Sequence, residues 1–92
     1  MHALVVTVSI AAGQFEASNK VLRENVVPQV KKAPGFIKGY WAVAADHTNG
    51  LSLVVFNTKA EAENASQMAR TSPTPPGVTI NHVEIREVVA DA

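Results

Sequence analysis

The sequence of 92 residues contains no cysteine, which excludes disulfides, thiol catalysis and cysteine-based metal sites. Its three histidines are scattered and lack the close spacing of a zinc-binding motif. Eight basic residues balance eight acidic ones, so the chain lacks the excess positive charge with which proteins bind nucleic acid or anionic membranes. We therefore expect no metal, no other cofactor, no nucleic-acid partner and no membrane partner.

Long hydrophobic runs are also lacking. The first apolar stretch, residues 3–12, is interrupted by Thr7 and Ser9, follows no basic segment, and is far shorter than the ~20 residues of a membrane-spanning helix. We expect a cytoplasmic protein on this ground. The apolar fraction of 47% is typical of a globular chain, and we predict a single domain over residues 1–92.

Branched aliphatic residues dominate what the sequence does contain, with fourteen Val and four Ile against four Leu. Side chains branched at Cβ favour pleated sheet because they are stiff at χ1 and pack well there. The apolar pattern switches between the period of a strand and the period of a helix. It predicts strands over residues 2–10, 36–46, 51–57 and 78–89, and helices over 14–30 and 59–71.

Three local signals indicate where the first half of the chain bends. Pro28 has no backbone donor and should loosen the first helix near Asn25. Asn49–Gly50 is the dipeptide of tight hairpin turns and predicts the turn between the second and third strands. Gly39, inside the second strand, indicates a bulge or the close approach of another backbone.

The second half carries two further signals. Thr58 followed by Glu61 is a capping-box pattern at the start of the second helix. The apolar face of that helix is small and consists of Ala62, Ala65, Met68 and Ala69. In the last strand the apolar residues change parity, which a bulge near residues 81–82 would explain. The order of elements is therefore βαββαβ.

This order, with short connections, predicts an α+β ferredoxin-like plait, a four-stranded antiparallel sheet with two helices on one face. Right-handed crossovers predict that the first and third strands are parallel neighbours. The hairpin puts Trp41 and Phe56 on the helix-facing side, and Tyr40 and Leu53 on the other. Both sides are apolar and two helices cover only one, so we predict a homodimer through sheet-to-sheet packing.

Several segments resemble the dimeric α/β-barrel superfamily. They are VPQV (27–30), APGF (33–36), GYW (39–41), NTKAEA (57–62) and the closing valine-rich strand. The best-known relatives in that superfamily are the antibiotic biosynthesis monooxygenases and their heme-degrading branch. The resemblance implies a homodimer whose two sheets close a barrel, with a pocket in each subunit between sheet and helices.

The resemblance also bears on individual positions. The asparagine, tryptophan and histidine of the heme-degrading branch correspond to Val6, Phe56 and Ser66, so the chain departs from that branch at all three. Monooxygenases that form quinones without a cofactor use pocket Asn, Trp, Tyr and Arg side chains. Those residue types are available here at Asn57, Trp41, Tyr40 and Arg86, without a match to fixed motif positions.

The candidate pocket residues are Phe15, Leu22, Trp41, Phe56 and Met68. Trp41 and Phe56 could stack on a flat ligand, or form an aromatic pair in the core. The weaker catalytic candidates are His82, Asn57 and Arg86. An imidazole titrates near ~6.5 and Glu84 follows His82 at strand spacing, yet the same spacing fits a salt-linked ladder on an edge strand. We expect His2 and His47 to be solvated.

Two classes of function remain open. The first is a monooxygenase that acts without a cofactor on a small hydrophobic aromatic substrate. The alternative is a non-catalytic module, either structural or binding a small molecule. A pocket into which His82 or Asn57 points would favour catalysis, and a pocket without a titratable group would favour binding.

Overall fold

A four-stranded antiparallel sheet with helices on one side forms the fold. The computed structural model describes residues 1–92. The elements are β1 (His2–Ile10), α1 (Phe15–Val21), a π-helical turn (Leu22–Val26), α2 (Val27–Lys31), β2 (Phe36–Val43), β3 (Asn49–Phe56), α3 (Lys59–Thr71) and β4 (Val78–Glu87). The strand order is β2-β3-β1-β4, and this α+β arrangement fits the predicted ferredoxin-like plait. No helix combines the length and apolar character needed to cross a membrane.

The direction of the central strands differs from the prediction. β1 pairs with β3 and with β4, and both pairings are antiparallel. The first and third strands are therefore neighbours, but the prediction that they run parallel is wrong. The helical crossover makes β1 parallel to β2, and the hairpin then reverses the chain, so β3 must run against β1.

The helical residues between β1 and β2 form one continuous segment, called here the first helical segment (α1, the π-helical turn and α2). Pro28 cannot donate a backbone hydrogen bond, and its ring would collide with the carbonyl four residues earlier in a regular α-helix. The wider π-helical turn over Leu22–Val26 lies just before this proline. The predicted loosening near Asn25 is thus confirmed.

The hairpin between β2 and β3 does not turn at Asn49–Gly50, which both belong to β3. The turn lies upstream, where the Asp46 carboxylate accepts hydrogen bonds from the backbone N–H of Thr48 at 3.1 Å and from its hydroxyl at 2.7 Å. His47 takes the left-handed conformation, with φ of 60°. An aspartate that bonds two residues ahead forms a turn by itself, so Asn-Gly was the weaker of two signals.

The core lies between the sheet and the helices and consists of Leu4, Val6, Val54, Phe56 and Ala62. Val30 of the first helical segment and Ala62 of α3 both pack there, so the helices share one face of the sheet. On α3, Ser66 is buried and Met68 is 45% exposed. The predicted apolar face is therefore wrong at Met68, since position 66 lies above Ala62 at helical spacing.

The start of α3 depends on a glycine before β2. The Thr58 hydroxyl accepts a hydrogen bond from the Glu61 N–H at 3.2 Å, and the Glu61 carboxylate accepts one from the Thr58 N–H at 3.1 Å, so the predicted capping box is confirmed. The same carboxylate lies over Gly35, which has φ of 79° and where a Cβ atom would overlap it. Gly35 thus allows both the backbone turn and the cap.

Two bulges adjust the sheet. In β4 the register shifts at Asn81, whose side-chain amide donates to the Ser9 hydroxyl at 2.7 Å, so the bulge predicted near residues 81–82 is confirmed. In β2 the shift lies between Phe36 and Lys38, upstream of Gly39. Gly39 instead leaves room for the indole ring of Trp41, to which a Cβ atom would come within 2.9 Å. A side chain, not a backbone, makes the close approach.

Replacing Gly35 by alanine should destabilise the protein more than the same change at Gly13. Both glycines have left-handed φ, but nothing lies within 4 Å of a Cβ atom at Gly13. We expect Gly13→Ala to cost about 1–2 kcal/mol in backbone strain. Gly35→Ala should cost about 1 kcal/mol more because it displaces Glu61 from the cap. Urea denaturation measures both, and equal losses would contradict the role of Glu61.

The hairpin turn predicts a pH effect. Hydrogen bonds from the Thr48 side chain, and then from its N–H, hold the pKa of the Asp46 carboxyl below its ordinary value. A depressed pKa adds stability above the ordinary Asp range that is lost as pH falls through the lowered value. Thr48→Val should therefore raise the Asp46 pKa. The variant should be less stable than the wild type at neutral pH, and this difference should become smaller at acid pH. An NMR titration of the carboxyl carbon checks the first point, and an unchanged pKa would refute it.

Candidate functional site

The predicted aromatic pair lies on the helix-facing side of the sheet, in two different environments. Phe56 is fully buried, and its aromatic partner is Phe36, with ring centroids 6.4 Å apart at an interplanar angle of 79°. Trp41 is half-buried, packs against the core, and lies along β2 over Gly39. Phe56 is thus a core residue, whereas Trp41 keeps part of its surface accessible.

The first helical segment is anchored at its two ends. Near its C-terminal end, Val30 and the following Ala33 pack against the core. At its N-terminal end, the ring of Phe15 stacks on His47 of the hairpin loop, with centroids 3.8 Å apart at 17°. Phe15 and Leu22 are half-buried and lie outside the core cluster. The π-helical turn lies in the middle of the segment, between these two contacts, and Ser18 before it is buried.

Two of the catalytic candidates lie on the side of the sheet that no helix covers, called here the open face. His82 pairs across the strands with Thr7, and Arg86 with Ala3. The Arg86 guanidinium donates to the Glu84 carboxylate at 2.9 and 3.0 Å, and the His82 Nε2 lies 3.6 Å from that carboxylate. Arg86 thereby lowers the pKa of Glu84. These three residues form the salt-linked ladder that was the alternative to a catalytic role.

The third catalytic candidate, Asn57, is exposed at the end of β3, where its backbone N–H donates to the Gly35 carbonyl at 3.0 Å. Met68, a pocket candidate, is exposed on α3. The structure therefore brings Trp41 and Phe56 into one layer but leaves Asn57 at the surface, and it leaves His82 and Arg86 on the opposite side of the sheet.

His2 is the side chain whose position differs most from expectation. It pairs with Phe56 across β1 and β3 and so faces the helices, and its Nδ1 atom is buried without a hydrogen-bond partner. The prediction that His2 is solvated is therefore wrong at Nδ1, and the residue as a whole is half-buried, whereas His47 is exposed as expected. The alternation of His2 with Leu4 and Val6 along β1 was the signal available in the sequence.

The open face carries three large, exposed apolar side chains of the β2–β3 hairpin. Tyr40 is 59% exposed, Leu51 46% and Leu53 37%. Beside them is a shallow depression of about 450 Å³, whose lining includes Thr7, Ala42, Asn49, Leu51 and Asn81. Exposed apolar side chains and a depression thus lie side by side on the open face.

A second groove, of about 460 Å³, lies between α3 and β4. Polar side chains from α3 line most of it, together with Ile85 of β4, and the lining includes Ser66, the residue that the resemblance sets against the heme-ligating histidine. A serine does not ligate heme iron as histidine does. No group of three His, Asp or Glu side chains lies close enough to hold a metal ion.

Comparison with known proteins assigns no family. No protein-family model matches the chain, and no curated protein matches it.

Proposed function

We propose that this protein is a homodimer formed sheet to sheet, and that it binds a small hydrophobic aromatic molecule without catalysing a reaction on it. The single observation that carries the binding role is Trp41, a half-buried aromatic ring that packs against the core on the helix-facing side of the sheet. The dimer would be of the kind found in dimeric α/β barrels, to which the chain bears a resemblance.

The amount of buried surface supports the dimer. In a single copy, nine of the 92 residues are buried, although 47% of the residues are apolar. Tyr40, Leu51 and Leu53 are exposed together on the open face, so in a single copy they are in contact with water. Exposed apolar patches of this kind are typical of interaction surfaces. A second copy would supply the missing cover.

The neighbourhood of Trp41 supports an aromatic ligand. An indole ring offers a flat apolar surface and one N–H donor, which suits offset stacking on another ring. Gly39 leaves room for the indole ring, and Phe36 also lies next to Gly39. The chain also contains a π-helical turn, a feature that often occurs at functional sites.

The position of the catalytic candidates supports binding over catalysis. His82 and Arg86 belong to the open face, and Trp41 belongs to the helix-facing side. A general base must come within hydrogen-bond reach of the proton that it removes. Neither side chain can do so for a ligand that stacks on Trp41, since the sheet separates them.

A second candidate function is oxidation of a small aromatic substrate without a cofactor. The observation that favours it is His82, which is 61% exposed, lies 3.6 Å from Glu84, and pairs with Thr7 at the rim of the open-face depression. His82 would remove a proton from a substrate CH₂ group, and the carbanion would reduce O₂ as a C–O bond forms. Loss of water from the hydroperoxide leaves a ketone, so one CH₂ and one O₂ give one C=O and one H₂O.

Leu53→Asp should dissociate the dimer. The substitution buries an unpaired carboxylate in the centre of the open face, and we expect the dimer dissociation constant to rise at least about a hundredfold. Val89→Asp is the matched control, because Val89 is 88% exposed beyond the end of β4. Sedimentation equilibrium measures both. A wild-type protein that sediments as a monomer at micromolar concentration would contradict the dimer.

Trp41 provides a direct test of binding because it is the only tryptophan. Titration with 1-naphthol should change its fluorescence in a saturable way, and Trp41→Ala should weaken binding at least about tenfold by calorimetry, given the aromatic contact it removes. Val89→Ala should bind like the wild type.

Oxygen uptake with anthrone separates the two candidate functions. We expect no uptake above the protein-free rate, because no candidate base lies near Trp41. Uptake that His82→Ala abolishes would establish the oxidase and refute the non-catalytic proposal. Neither binding nor uptake would refute both.

A further inference from the structure

The side chains of the open face form rows that run across the four strands. One row, called here the Tyr40 row, consists of Tyr40, Leu53, Val5 and Glu84. The next, called the Ala42 row, consists of Ala42, Leu51, Thr7 and His82. Each residue of the Tyr40 row stands two positions from its counterpart on the same strand. Tyr40 is the most exposed of the large apolar side chains in these rows, and Ala42 and Thr7 line the depression.

A two-fold interface must be complementary to itself, since each copy contributes the same patch. The two rows meet this condition if the two-fold axis runs across the strands and passes between the two rows. Such an axis lays the Tyr40 row of one copy over the Ala42 row of the other. Tyr40 then meets the partner's Ala42, and Leu53 meets the partner's Leu51.

The charges favour the same axis. On β4 this axis brings Glu84 over the partner's His82. Each imidazole then has two carboxylates beside it, Glu84 of its own chain and Glu84 of the other copy. An axis along the strands would instead lay β2 over the partner's β4. Lys38 pairs across to Val55 and, through Ala3, shares a row with Arg86. That axis would set Lys38 against the partner's Arg86, and like charges opposed across an interface are unfavourable.

We infer that a second copy docks on the open face about an axis that runs across the strands, with Tyr40 seated in the partner's depression over Ala42. This inference rests on the proposed dimer and specifies its geometry. Asn49 and Asn81 line the depression and can hydrogen-bond to the phenol hydroxyl. The bulge in β4 is what adds Asn81 to this rim. Tyr40 is thus the specificity-determining residue of the interface.

The wild-type protein allows a direct test, because Tyr40 is the only tyrosine. In a dimer mixed from ¹³C-labelled and unlabelled chains, isotope-filtered NOE spectra should connect the Tyr40 ring to the Ala42 methyl group of the other copy. Contacts from Tyr40 to the partner's Glu84 would indicate an axis along the strands and overturn the inference. A dimer with neither contact would overturn it too, while leaving the dimer itself intact.

Substitution at Tyr40 gives an independent measurement. Tyr40→Ala should raise the dimer dissociation constant at least about tenfold, as expected for an aromatic residue seated in a pocket of the partner. Val89→Ala should leave it unchanged. A dimer of normal strength in Tyr40→Ala would refute the seating of Tyr40. A wild-type chain that stays monomeric in sedimentation would refute the proposed dimer and this geometry together.

Because the chain has no cysteine, cross-linking can separate the two axes. Chains carrying Tyr40→Cys and Ala42→Cys should form a mixed disulfide when combined and oxidised. Chains carrying Tyr40→Cys and Glu84→Cys should not. The reverse pattern would overturn the inference, and so would equal yields from both pairs.

Discussion

The sheet has two apolar sides and helices on only one of them, and this imbalance determines the rest of the structure. Burial of apolar surface is the main favourable term in folding, and α3 with the first helical segment can supply it on one side only. On that side the side chains of β1 and β3 surround Phe56, which is fully buried. On the other side Tyr40, Leu51 and Leu53 stay in contact with water. A partner that covers the open face would bury what the helices cannot reach.

On the helix-facing side, local contacts fix the ends of the helices, while Ala62 of α3 packs in the core. The start of α3 is held by its capping box, whose carboxylate lies against the turn before β2 at Gly35. The first helical segment is held by Val30 at one end and by the stack of Phe15 on His47 at the other. The π-helical turn lies between those points, where Pro28 prevents a regular hydrogen-bonding ladder. The segment contributes Val30 to the core and Ser18 of α1 is buried as well, while Trp41 on the same side of the sheet remains partly accessible.

The site was less predictable than the fold, for reasons that particular residues illustrate. Trp41 and Phe56 were assigned to the correct side because strand parity follows from a single register. Their contacts were not, since Phe56 pairs with Phe36 through the bulge at the start of β2. His2 was expected in water because it is near the chain terminus, yet the alternation along β1 turns it inward. Met68 was assigned to a packed face on composition, although helical geometry gives that place to Ser66.

The linear order of residues sufficed for the element order, the loosening at Pro28, the cap at Thr58 and the bulge at Asn81, because each depends on neighbours a few positions apart. Strand direction also follows from the element order, because a crossover followed by a hairpin sets β3 against β1. The true hairpin turn, and the choice between a ladder and a catalytic role for His82, required the folded chain. The turn forms at Asp46 and not at Asn49–Gly50 because β2 and β3 pair in a register that includes Gly50. Contacts between distant segments supply most of the free energy of burial, so they determine the local conformation wherever short-range preferences disagree.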